Sequence, residues 1–274
     1  MSLDPYPRRI VCLTEETTET LYLLGAGDRV VGVSGYTVRP PEARQKPRVS
    51  AFITARYDAI EALQPDLILG FSDLQADIAS ALIKRGHTVM VFNQRSIAGI
   101  LQMIRVVGAL VGRTDAAHVL AIRLEAEIEA ARVAAEALPF RPRVFFEEWD
   151  TPLISGIQWV EELVEIAGGV PIFPELRHAG LGKDRIVDAD EVVRRDPQAI
   201  VASWCGKAVR PARIAARPGW SDVAAVRHQH IYEIKSPLIL QPGPAALTEG
   251  LAQLRAIVAG VAADEATRPT ATSR

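Results

Sequence analysis

The sequence predicts an α/β fold of two lobes with mainly parallel sheets, joined by one long α-helix. Three observations predict it. Short apolar runs of strand character alternate with longer helical patterns, the stretch 114–138 holds neither Gly nor Pro, and a short pattern in the first half recurs in the second.

In the first lobe, 1–113, strands are expected at 9–13, 29–33, 67–70 and 88–92, and helices at 17–24, 58–63, 74–85 and 97–112. Strands this short and apolar suit a parallel sheet covered on both faces. The stretch 114–138 reads as the inter-lobe helix. Thr114 or Asp115 can cap its start, Leu120, Leu124 and Ile128 share one face at i, i+4 spacing, and Pro139 and Pro142 end it. At ~1.5 Å per residue it would span roughly 35 Å, enough to run behind two lobes, and a continuous helix should resist wide closure. The second lobe, 139–274, adds strands at 144–147, 199–203 and 231–234 and helices at 158–167, 188–194 and 244–261.

The recurring pattern is Asp58-Ala-Ile-Glu-Ala-Leu-Gln-Pro-Asp-Leu-Ile-Leu against Asp190-Glu-Val-Val-Arg-Arg-Asp-Pro-Gln-Ala-Ile-Val. In both, an Asp opens a short helix, a Pro seven positions later stops it, and a strand follows. One copy falls in each lobe, as a duplicated unit would require.

Near-neutral charge, 31 basic against 33 acidic side chains, argues against a nucleic-acid partner. Two cysteines are too few for a disulfide framework; Cys12 lies in an apolar run and Cys205 follows Trp204. No run of about 18 apolar residues is present, so no membrane span is expected. The start holds no apolar segment before the first strand, hence no signal peptide or lipoprotein cysteine. The protein is then periplasmic or otherwise extracytoplasmic if a leader was trimmed, and cytoplasmic if the chain is native as written.

Leu24-Gly-Ala-Gly-Asp28 ends a helix and precedes a strand, the reverse of a phosphate-binding loop, and reads as a helix stop. His228-Gln-His230 reads as a turn feeding a strand, with no Cys or carboxylate at metal-binding spacing nearby in the chain. The informative residues stand just past strand ends, where open α/β sheets hold their ligands. Tyr36, Phe71, Trp149 and Trp204 all do so, in a chain with only 6% aromatic residues. Aromatic faces there suit a cleft gripping a large flat or amphipathic ligand. Arg39, Ser72, Glu147, Glu148 and Lys207 share those positions. No nucleophile elbow, His-Glu-x-x-His or P-loop is present, which points away from an enzyme.

Arg9-Ile-Val-Cys-Leu-Thr, Thr18-Glu-Thr-Leu, Leu24-Gly-Ala-Gly-Asp-Arg-Val-Val-Gly-Val, Tyr36 and Pro40-Pro-Glu-Ala resemble the opening of the helical-backbone periplasmic binding proteins. These are the cobalamin and ferric-siderophore receptors of ABC importers. The resemblance continues through Leu63-Gln-Pro-Asp-Leu-Ile-Leu, Arg85-Gly-His-Thr-Val, Ala167-Gly-Gly and Asp196-Pro-Gln-Ala-Ile-Val, over about residues 8–262. Phe146-Glu-Glu-Trp-Asp and Lys235-Ser-Pro-Leu-Ile-Leu-Gln-Pro-Gly-Pro resemble its cobalamin-binding branch.

The resemblance implies two Rossmann-like lobes with a rather rigid cleft, lined in the cobalamin receptors by Tyr and Trp. The matching positions here are Tyr36, Phe52 and Phe71, so two expected Trp sites are Phe. Glu148, Trp149, Trp204, Lys207 and Ser236 would form the facing wall. One carboxylate per lobe is expected to dock on permease arginines, and the matching positions are Asp58 and Asp190. No intrinsic cofactor or metal is expected. The bound ligand would be cobalamin or another metal chelate, and the partner an ABC permease dimer. Two other readings stand: a ferric siderophore or haem receptor, with Arg39, Lys207 and Lys235 meeting an anionic chelate, and a cytoplasmic corrinoid-processing enzyme using Glu147 and Glu148 for proton chemistry.

Overall fold

The computed structural model describes residues 5–268. The chain forms two compact units, Met1–Glu125 with Gln241–Pro244, and Ala126–Leu240 with Ala245–Arg274. The division falls inside the long helix, between Glu125 and Ala126.

The first unit carries β1 (Ile10–Cys12), β2 (Val30–Ser34), β3 (Arg48–Ala51), β4 (Thr54–Ala55), β5 (Leu67–Phe71) and β6 (Val89–Phe92), in the sheet order β4-β3-β2-β1-β5-β6. All neighbours are parallel except β3 and β4. Its helices are α1 (Glu15–Leu23), α2 (Tyr57–Ala62), α3 (Ala76–Lys84), α4 (Ile97–Leu110) and the first half of α5 (Thr114–Glu136). Strands β3 and β4 have no signal in the sequence, because Arg48-Val-Ser-Ala is half polar and β4 is two residues long.

Helix α1 buries its threonines. Thr18 and Thr20 donate their hydroxyls to the carbonyls of Thr14 (3.0 Å) and Glu16 (2.7 Å), so each enters the interior already satisfied. On α5, Ala117, Leu120, Ala121, Leu124, Ile128 and Ala131 are buried, the stripe that the spacing predicts. Helix α4 meets α5 at Gly108, where an added Cβ would lie 2.3 Å from Cβ of Ala117 and 3.0 Å from the carbonyl oxygen of Arg113. Gly108→Ala, which in an open helix gains up to about 1 kcal/mol, should here cost about 1–3 kcal/mol. Thermal unfolding reads the sign, and a neutral or stabilised variant would show that the two helices part freely.

The second unit carries β7 (Arg143–Asp150), β8 (Leu153–Ser155), β9 (Val170–Pro171), β10 (Ala199–Ala202) and β11 (Ile231–Glu233). The order is β11-β10-β7-β8, with β9 beside the start of β7, and only the β7–β8 pair is antiparallel. Around it lie α6 (Gln158–Ile166), α7 (Ala189–Arg195), the short α8 (Pro211–Ala215), α9 (Ala224–Arg227) and α10 (Ser236–Ile239), and α11 (Leu251–Thr267). Phe145 anchors the core, edge-on to Phe173 at 5.8 Å and to Trp220 at 6.4 Å.

The sequence echo extends to the backbone. Helices α2 and α7 both stop at a residue in the left-handed region, Gln64 (φ 47°) and Asp196 (φ 43°), immediately before Pro65 and Pro197. In each unit an arginine opening the central strand closes that helix end. Arg9 donates to the carbonyls of Leu63 and Gln64, and Arg143 to those of Arg195 and Asp196. Cations there oppose the negative end of the helix dipole. The first Asp of each repeat is not the cap. Arg56 precedes α2 without a side-chain capping bond, and Asp188, accepting from the amide of Asp190 at 2.8 Å, caps α7.

Among the described residues one helix, Ala246–Thr267, is long and apolar enough to cross a bilayer by length and composition, where none was expected. Leu251, Leu254, Val258, Val261 and Ala262 bury one of its faces in the second unit, as in a core helix. The sequence obscured it because charged residues interrupt the apolar run.

Candidate functional site

Strand β7 ends in four residues that the fold separates by function. A register irregularity at Glu148 lies between the pairs Glu147–Ser155 and Trp149–Ile154. Glu147 is fully buried and receives both nitrogens of Arg217, at 2.6 and 2.8 Å, and the indole N–H of Trp204 at 3.1 Å. Burial pushes its carboxyl up, while Arg217 pulls it back down. Glu148 accepts two bonds from Arg185, at 2.7 and 2.9 Å, and Arg185 is itself buried. Both carboxylates are therefore held in bidentate ion pairs. Neither has the free proton exchange that an acid–base pair would need.

Past them, Lys207 bonds Asp150 at 2.6 Å and lies over the rings of Trp149 (5.3 Å) and Trp204 (4.9 Å). Trp204 is 3% exposed and belongs to the core, so it supports Lys207 and offers no ring face to a ligand. Trp149 is half-buried, with its N–H on the carbonyl of Thr151. Ser236 opens α10, half-buried.

In the first unit, Tyr36 follows β2 with 46% of its surface exposed. Arg39 bonds Glu19 at 2.9 Å. Phe71, at the end of β5, is only 6% exposed and lies under the guanidinium of Arg95 at 4.7 Å. Ser72 is 1% exposed at φ 74°, its oxygen accepting from the amide of Leu74 (3.0 Å) and its O–H donating to Asp73 (3.1 Å). Phe52 is half-buried, tied to Phe71 through the fully buried Gln75, which accepts from the Phe71 amide (3.0 Å) and donates to the Phe52 carbonyl (2.8 Å). At the same sheet edge Glu16 is buried, with one carboxylate oxygen unpartnered. Its carboxyl is pushed up to about 7 and that of Glu15 to about 8, chiefly by desolvation.

Sequence reasoning missed Arg185, Arg217, Gln75 and Arg95. No local motif marks them: Arg185 and Arg217 act on a strand end distant in the chain, and Gln75 ties nearby Phe71 to Phe52, 23 residues away. Asp58 and Asp190 occupy equivalent places on α2 and α7, and both are exposed. Cys12 is buried, its thiol pushed up to about 12 by desolvation, which leaves it inert.

Parallel sheets in two units, with aromatic and ion-paired residues past their strand ends, define a ligand-binding α/β protein. Residues 10–238 match the family described as periplasmic binding protein, and the chain belongs to that family, one of non-catalytic solute-binding proteins. Glu147 and Glu148 as enzymatic groups are thereby set aside. The chain is 26% identical over 265 residues to the ABC transporter substrate-binding lipoprotein YvrC of Bacillus subtilis, covering 93% of this chain and 81% of that one. It is 25% identical over 255 residues to the vitamin B12-binding protein of Vibrio vulnificus, covering 90% and 89%. The solved periplasmic haem-binding protein RhuT from Roseiflexus shares the fold at a TM-score of 0.78, with 24% identity over 93% of this chain and 99% of that one.

Proposed function

We propose that this chain is the extracytoplasmic solute-binding component of an ABC importer and that it carries a cobalamin-like corrinoid as transported ligand. Tyr36, Arg39, Phe52, Glu148, Trp149, Lys207 and Ser236 are the proposed contacts. Asp58 and Asp190 are the carboxylates proposed to meet basic residues of the permease. One observation carries the choice of ligand: the cations nearest the strand ends already face carboxylates. Arg39 meets Glu19 (2.9 Å), Arg95 meets Asp73 (3.2 Å), Lys207 meets Asp150 (2.6 Å) and Lys235 meets Glu233 (2.5 Å). With their charge already met, these edges suit a ligand without net negative charge better than an anionic chelate.

A haem reading is favoured by one feature, the exposed phenol of Tyr36, because tyrosine serves as an axial haem ligand. Titration with cyanocobalamin, haem and ferric siderophores separates the two. All four tryptophans lie in the second unit, and Trp159, Trp204 and Trp220 are buried, so fluorescence quenching reports chiefly on Trp149. A saturable response to cyanocobalamin is expected. Saturation by haem or a siderophore with none by cyanocobalamin would sink the corrinoid reading. Tyr36→Ala should weaken corrinoid binding by about 1–2 kcal/mol, close to tenfold, without lowering Tm. Tyr36→Phe should leave corrinoid binding intact but abolish a tyrosine-ligated haem spectrum.

A further inference from the structure

At the amino end of β11, opposite the strand ends just described, the turn His228-Gln-His230 meets the last turn of α11. Gln229 adopts a left-handed conformation (φ 59°), and the two imidazoles lie 5.9 Å apart. Their chain spacing offers no third ligand, but the fold brings one from 35 residues away. Ring nitrogens of His228 and His230 and a carboxylate oxygen of Glu265 all lie within 4.8 Å of one another. Asp264 stands beside them, its Oδ2 3.2 Å from Nε2 of His230.

A backbone carbonyl orients the buried imidazole. His230 is buried, and its Nδ1 is 3.1 Å from the carbonyl oxygen of Gln198, an acceptor, so Nδ1 carries the proton. Its Nε2, the nitrogen left for a further partner, faces Oδ2 of Asp264. A backbone carbonyl holding one imidazole nitrogen so that the other presents its lone pair is also how metal-binding histidines are oriented. On the other side, Nδ1 of His228 is 3.0 Å from Oε1 of Glu265.

The end of the helix also favours a cation here. Asp264 and Glu265 place two negative charges at the negative end of the α11 dipole, whose last turn holds no basic residue. Arg268, just beyond, reaches Glu265 at 2.6 Å and leaves Asp264 to the histidine.

We propose that His228, His230 and Glu265, with Asp264 as fourth donor, bind a divalent transition metal of zinc type. Two imidazoles and two carboxylates form a nitrogen–oxygen set suited to tetrahedral Zn2+ and unsuited to Mg2+, which prefers an all-oxygen shell. The ion would pin the C-terminal helix to the start of β11. This proposal is independent of the ligand carried at the strand ends.

The test is calorimetric titration of tag-free, chelator-treated protein with Zn2+ and with Mg2+, together with Co2+ absorption spectroscopy. One Zn2+ per chain, no Mg2+ binding and four-coordinate Co2+ bands are expected. His228→Gln with His230→Gln should weaken Zn2+ at least about tenfold and remove the bands. Glu265→Gln, a milder change, should weaken it as well, which covers a double variant that fails to fold. No stoichiometric Zn2+ binding, or Zn2+ affinity unchanged in the folded variants, would overturn the proposal.

Discussion

Replacing Arg217 by Met should cost the second unit about 3–5 kcal/mol at neutral pH, the loss expected when one partner of a buried pair is removed. Met retains much of the packing of Arg217 over Trp220, 4.6 Å from ring centre to guanidinium, so the loss isolates charge from volume. What remains is a carboxylate at Glu147 with no exposure and only the Trp204 indole as donor. Without Arg217 the carboxyl shifts further upward, so the variant should recover part of its stability near pH 5, where Glu147 takes up a proton. Adding Glu147→Gln should restore most of the rest. Urea unfolding followed by tryptophan fluorescence reads this unit directly. A loss below about 1 kcal/mol, or one independent of pH, would mean that solvent reaches Glu147.

Glu161→Gln should stabilise the second unit at pH 8 by about 1–2 kcal/mol and do nothing at pH 4.5. Glu161 is 3% exposed with one oxygen unpartnered, and desolvation pushes its carboxyl from 4.5 to about 8 against the pull of Arg177 and Arg185. The sign follows from proton counting. Between pH 4.5 and 8 the folded state keeps a proton that the unfolded state has released, so stability falls as pH rises through that window. An amide imitates the protonated acid and removes the slope. Glu15 and Glu16, raised to about 8 and 7, act in the same direction in the first unit, and the wild-type protein should be more stable at pH 5 than at pH 8. Urea midpoints across that range provide the measurement. A variant less stable than wild type at pH 8 would show that Glu161 is ionised and usefully paired.

Strands β1, β2, β5, β6, β7, β10 and β11 were legible because each reads as, or opens on, a short largely apolar run. Strands β3, β4, β8 and β9 were not, since they are brief and β3 is half polar. The same division holds at the strand ends. Position along a strand located Tyr36, Phe71, Trp149 and Trp204, but not which of them turns inward, because that depends on partners far away in sequence. Arg185 lies 37 residues from Glu148 and Arg217 lies 70 from Glu147. The arginines that close α2 and α7 escaped notice for the same reason, although Arg9 and Arg143 open their strands in plain view. The duplicated helix–Pro–strand pattern was the strongest long-range signal, because its glycine-free left-handed stops leave a Pro at a fixed distance.

The four residues Gln241–Pro244 belong to the first unit although the chain on either side of them belongs to the second. Gly243 presses on Glu16 so closely that a Cβ would lie 2.5 Å from that of Glu16, and the carbonyl of Pro242 accepts from Gln94 at 3.0 Å. During synthesis at ~5–20 residues per second, the piece that covers Glu16 emerges roughly 6–25 s after residue 125. The amino-terminal unit therefore gains these contacts only when the carboxy-terminal one is nearly translated. A gene fragment ending at residue 125 encodes its sheet but lacks the tetrapeptide that packs on Glu16 and accepts from Gln94.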